Sequence, residues 1–272
     1  MTGTSDVPGP PTAARAPAGR RGAFGSRSGA AGAHPDPHGP NSGALPLLWE
    51  PQTAPRRGPK PALTLDGIAR AGIAIADRAG LMAVTMENIA RAVAVTKMAI
   101  YRYVPGKTEL IALMTEIAVG EAPPLAPIPG GWRAQLEAWA RTLFDRFLRH
   151  PWTLQTTTGT RSIGPNEVGW MEQAVRVLTG TGLRGGEMLD VTATLAGHAR
   201  AMAEQASAAP GGAPERSMTA TIATVLPGRE DRFPALTAAI RSAASDGPQD
   251  AALDFGLARI LDGVQLLIAS RA

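Results

Sequence analysis

The chain has 272 residues, 44% hydrophobic and 18% charged, with 31 Gly, 24 Pro and no Cys, which excludes a disulfide framework, a cysteine-ligated zinc and thiol catalysis. No apolar run approaches the ~18 residues of a membrane span and no apolar stretch follows the N-terminal arginines, so a cytoplasmic protein without a secretory signal or membrane association is expected. The net charge of +4 is uneven: residues 56–107 carry nine basic against three acidic groups and residues 108–272 fourteen against seventeen, which suits a polyanion-binding module on a separate core, the alternative being a solvated basic face.

Residues 1–60 are rich in Pro, Gly and Ala and read as a disordered tail, because they cannot bury enough apolar surface to offset chain entropy. His34 and His38 are separated by Pro35-Asp36-Pro37, which forbids the helix that would align them on a metal. Leu45, Leu47, Leu48 and Trp49 form an apolar group that could dock on a core, though Pro46 and Pro51 argue against a helix there.

Helical periodicity begins after Lys60, with no run of alternating β-branched residues, so the fold class expected is all-α. In a first domain over residues 61–122, Thr64 caps a helix bearing Leu65, Ile68, Gly72, Ile75 and Ala79 and ended by Gly80. Thr85 caps a short helix to Ala92, Thr96 a third to about Val104, and a fourth follows Pro105-Gly106 from Lys107 to Glu121. Residues 123–272 read as a helical bundle. Apolar stripes begin at Trp132, Val168, Met188 and Leu253, and weaker helices lie at about 216–226 and after Pro234.

Short helices at 85–92 and 96–104 outline a helix-turn-helix. Ile89, Ala90, Val95 and Ile100 would pack the two helices together, leaving Thr96, Lys97, Met98 and Ala99 at the leading turn and Arg102 one turn on. Thr85, Tyr101, Tyr103 and Lys107 could reach phosphates beside the groove, the alternative being core roles for the tyrosines and a solvated Lys107.

The run from Ile89 to Leu110, with its Val95-Thr96, Tyr101-Arg102-Tyr103-Val104 and Lys107-Thr108-Glu109-Leu110 groups, resembles the DNA-binding signature of the TetR family of transcriptional repressors. The resemblance implies an N-terminal three-helix DNA-binding domain and a helical-bundle domain for ligand binding and dimerisation. It places Lys97, Met98 and Ala99 at base edges, with Thr85, Thr96, Tyr101, Tyr103 and Lys107 on the DNA backbone and Arg102 in either role. The Arg56-Arg57-Gly58-Pro59-Lys60 lead would follow the backbone or enter a minor groove. Ala94 stands where the family usually has Gly, and Glu87 either reads a base or faces solvent.

Phe255-Gly256-Leu257 and Ile260-Leu261-Asp262-Gly263-Val264 are similar to the last helix of the tetracycline-repressor subgroup. That implies a homodimer in which helices at about 185–207 and 251–270 pair across a two-fold axis, an intramolecular core helix being the alternative. Aromatics beyond residue 122 line either a ligand cavity or the core. His150, Gln155, Thr156 and His198, each with a polar tip and an apolar face, are the candidate effector contacts. No cofactor, metal or enzymatic activity is implied. The expected function is a transcriptional repressor released from a palindromic double-stranded DNA operator by a small-molecule effector. The alternatives are a non-specific architectural DNA binder and an all-α enzyme.

Overall fold

The computed structural model describes residues 42–50, 63–245 and 251–271, which form twelve α-helices, a few 3₁₀ turns and no strand. The Arg56–Lys60 lead, the His34/His38 pair and most of the N-terminal tail lie outside the described residues.

The first helix, α1 (Leu45–Trp49), departs from expectation. Pro46 lies in its first turn, where a missing N–H and a fixed φ are compatible with a helix, so the proline starts the element instead of breaking it. Ala44 and Leu48 are buried in the N-terminal core, so the folded structure reaches into the segment expected to be disordered.

Helix α2 (Leu65–Ala79) is capped by Thr64, whose hydroxyl accepts from Gly67 N–H over 3.0 Å, and ends at Gly80, φ 77°. It packs on α5 (Lys107–Val119), where Gly72 leaves room for Met114: a Cβ at that position would lie 2.6 Å from the sulfur. Helix α3 (Met86–Ala92) is capped by Thr85 onto Asn88 N–H, and α4 (Lys97–Tyr101) by Thr96 onto Ala99 N–H. The α4 helix stops short of the expected Val104. Val104 is fully buried, precedes Pro105 and is thereby steered away from helical geometry, so residues 102–104 close as a turn on Ile100 O. Likewise α5 ends at Val119 because Gly120 takes φ 63°.

The second core is built by α6 (Gly131–Arg149), α8 (Pro165–Leu178), α9 (Gly185–Ala208) and α12 (Ala252–Ala269), with the single turn α7 (Thr153–Thr156) between α6 and α8. Trp139 and Trp170 meet edge to face, centroids 5.7 Å apart, and both indoles are satisfied: Trp139 donates to Trp170 O and Trp170 to Gly120 O. Helices α10 (Pro214–Val225) and α11 (Pro234–Ala243) bury no residue. The α12 helix crosses α9 closely at Gly256, which sits on the His198 ring. Gly256 therefore serves packing within the chain, whereas Gly263 faces open space.

Candidate nucleic-acid interface and cavity

Helices α3 and α4 are locked at an angle by buried Ile89, Ala90 and Ile100, and the turn between them closes with Val95 N–H donating to Ala90 O over 3.0 Å. Ala94 in that turn has φ 54°, the one non-glycine with positive φ among the described residues. The packing turns the leading edge of α4 outward. Thr96, Lys97 and Met98 are exposed, Met98 by 73%, and Lys97 Nζ stands 5.8 Å from the Tyr101 ring centroid. Thr85, Tyr101, Arg102 and Lys107 are also exposed on this module. Ala99 and Tyr103 are half-buried and pack on the N-terminal core, so each offers less surface than the other candidates. Glu87 pairs with Arg91 over 3.2 Å with both side chains largely in solvent.

The second core carries a partly open cavity of about 430 Å³. Its walls are apolar and aromatic: Val119 from α5, Trp139, Leu143 and Phe147 from α6, Trp170 and Met171 from α8, and Leu189 from α9. A row of Thr192, Ala193, Ala196, Gly197 and Arg200 on one face of α9 completes it. The small residues in this row make the space. Two arginines reach the lining. Arg161 forms a two-pronged ion pair with Glu167 at 2.6 and 2.5 Å, whereas Arg200 donates to Thr157 Oγ1 over 2.8 Å and to Leu154 O.

None of the four candidate effector contacts lines this space. His150 Nδ1 lies 2.9 Å from Asp77 Oδ1, His198 Nε2 meets Leu253 O at 3.0 Å, and Thr156 accepts from Thr115. Gln155 is exposed. The polar tips of His150, Thr156 and His198 are turned to neighbouring helices, which periodicity alone does not reveal. The readable signal that was missed is the Thr192, Ala196, Arg200 row: small and polar residues four apart on a helix whose other face is apolar.

Comparison with known proteins decides the class. Residues 63–114 match the family model for bacterial regulatory proteins of the tetR family, and residues 124–268 match the tetracyclin repressor-like C-terminal domain. The HTH-type transcriptional repressor DrrR1 of Streptomyces coeruleorubidus is 35% identical over 237 residues, covering 84% of this chain and 86% of the relative. The chain belongs to the tetR family.

Solved structures of TetR-family proteins agree with it. Apo ActR of Streptomyces coelicolor superposes with TM-score 0.67 at 24% identity, covering 79% of this chain and all of ActR. ActR in complex with actinorhodin gives 0.63 at 26% identity, covering 76% and 98%. As a member of this family the protein is a ligand-responsive, DNA-binding transcriptional repressor.

The two matched regions of this TetR-family protein are joined through α5 and two polar clasps. Asp77 on α2 accepts from Trp152 Nε1 over 2.7 Å and meets the His150 ring, and Trp152 itself is buried in the N-terminal core. Glu116 on α5 accepts from Asn166 N–H in the first turn of α8 over 2.6 Å, while its second oxygen is buried without a partner. Burial raises the Glu116 carboxyl above the usual carboxylate range, helped by the charge of Glu167 and opposed by the Asn166 N–H and Arg161. Helix α5 therefore carries exposed Lys107 at its start, and in its last turn both the Glu116 clasp to α8 and the cavity wall at Val119.

Proposed function

We propose that two copies of this repressor read a palindromic operator through α4 and release it when a small molecule fills the cavity. The observation that carries the reading is the outward leading turn of α4, with Lys97 and Met98 exposed above a buried α3 seam. Lys97, Met98 and the Ala99 methyl meet base edges. Thr85, Thr96, Tyr101, Tyr103 and Lys107 hold phosphates, and Arg102 can serve either. Binding to operator DNA places the protein's action in the cytoplasm.

Exposed apolar side chains on α12 support the dimer. Phe255 and Leu266 are 68% and 73% exposed on a helix whose opposite face is core, and open Gly263 permits a close backbone approach. Pairing through α9 and α12 would set the two reading helices about one turn of DNA apart, ~34 Å. The actinorhodin complex of ActR supports a small-molecule effector.

Release requires the ligand to favour the DNA-incompetent state; a hundredfold loss of operator affinity corresponds to a coupling of about 2.7 kcal/mol. The path runs from the cavity wall at Val119 and Glu167 through α5 and its Glu116 clasp to the start of α5 beside α4. Footprinting on the DNA upstream of its own gene tests this reading. The expected result is protection of two half-sites one turn apart. The double variant Phe255→Asp, Leu266→Asp should sediment as a monomer and lose the footprint. An intact footprint from a monomeric variant would overturn the dimer.

A further inference from the structure

Arg200 differs from the other cation of the cavity in having no ion-pair partner among the described residues. Arg161 is neutralised by Glu167, which is itself buried. Three further arginines of this half are neutralised in the same way, Arg133 by Asp262, Arg176 by Glu172 and Arg271 by Glu187, whereas Arg229, outside the cavity, donates to the carbonyls of Val225 and Pro227. Among the described residues Arg200 bonds to the neutral oxygens of Thr157 and Leu154 alone. Those two bonds engage two of the five N–H groups of a guanidinium and leave three for another acceptor. The group is half-buried and lines a space walled mainly by Trp139, Trp170, Phe147 and aliphatic side chains, with Thr157, Thr192 and the Arg161–Glu167 pair also at its wall.

A cation held at an apolar wall by neutral acceptors has lost hydration without gaining an opposite charge, which is unfavourable until an anion arrives. A carboxylate or ionised phenol would accept the remaining N–H groups as charge-assisted, two-pronged bonds, the strong form of such contacts. The two indoles and the Phe147 ring at the wall suit fused aromatic rings, and the small face of α9 leaves width for them. We propose that the effector is a planar aromatic acid with its rings against Trp139, Phe147 and Trp170 and its anionic group on Arg200. The proposal rests on the cavity being the effector site.

Anthraquinone-2-carboxylate and its carboxamide share rings and shape and differ in charge. Calorimetric titration of the full chain with each is the test. Wild type should bind the carboxylate at least tenfold more tightly than the carboxamide. Arg200→Gln should bind both alike, and Arg200→Lys should keep most of the preference, with thermal melting of each variant checked in parallel. Equal binding of the two probes by wild type needs no variant and overturns the anionic group while leaving the cavity an aromatic-ligand site. A preference that survives in Arg200→Gln overturns the role of Arg200. Failure of both probes to bind wild type overturns the aromatic acid, and operator release in response to some other compound would then show that the repressor reading stands without it.

Discussion

Trp152 Nε1 donates to Asp77 Oδ1 over 2.7 Å, joining two residues 75 positions apart across the two matched regions. The indole is buried in the N-terminal core, although its neighbours in sequence belong to the body. Removing the acceptor strands a buried donor. Asp77→Ala should lower the free energy of unfolding by about 1–3 kcal/mol in urea titration. It should also weaken the response of operator binding to effector, because the head is then less firmly tied to the cavity half. Unchanged stability would show the clasp to be inert.

The α1 helix is a second tie. Leu48 is buried against the N-terminal core and Trp49 Nε1 donates to Ile163 O over 2.9 Å, two residues from Arg161. Leu48→Ala should cost about 2 kcal/mol, the lower end for a core leucine because the site lies at the margin of the core. Trp49→Phe, losing one half-exposed bond, should cost about 0.5–1 kcal/mol. Chemical denaturation of both variants checks the order; equal, negligible effects would mean the segment does not hold its place.

Ala94 takes a backbone conformation in which a Cβ is strained by roughly 1 kcal/mol. Ala94→Gly should relieve that strain at some cost in chain entropy, for a net gain somewhat below about 1 kcal/mol. The substitution removes no side-chain contact needed for DNA, so operator affinity should be unchanged. A drop in melting temperature would contradict the strain.

Glu116 sets a pH dependence. Its carboxyl is raised in the folded state, so the folded chain holds this proton more tightly than the unfolded chain does. The stability gained from the protonated form is fully present below the unfolded value near 4.5 and is lost as pH rises through the folded value. Glu116→Gln removes this titration while keeping an acceptor for Asn166. The variant should gain on wild type as pH rises from 4.5 toward neutrality, read as the difference between their melting temperatures. A difference independent of pH over that range would show that Glu116 does not titrate as described.

Local chemistry made much of the fold legible. Thr64, Thr85 and Thr96 each accept the bond expected of an N-cap, and Gly80 and the Pro105-Gly106 pair end elements where chain physics requires. The leading turn of α4 was readable for the same reason: two short capped helices with apolar inner faces have few ways to pack. The tail was misread at α1 because proline was weighed as a helix breaker when its place in the first turn made it compatible. The cavity was legible only as one of two readings of the aromatics beyond residue 122, of which Trp139, Phe147 and Trp170 line it. Its lining joins residues of α5, α6, α8 and α9 with Arg161 from a loop, and which polar tips turn inward depends on tertiary partners such as Asp77 for His150. The effector contacts proposed from sequence were chosen by residue type, and none of them lines this cavity, whose wall includes the face of α9 that carries Arg200.

The reading surface of α4 is the central claim, and fluorescence anisotropy on labelled upstream DNA against random duplex tests it most directly. Wild type should prefer the upstream sequence by at least about a thousandfold at physiological salt. Lys97→Ala should erase most of that preference. Lys107→Ala should weaken both duplexes alike and reduce the salt slope by about one. Equal affinity of wild type for the two duplexes, or a preference untouched by Lys97→Ala, would contradict the account.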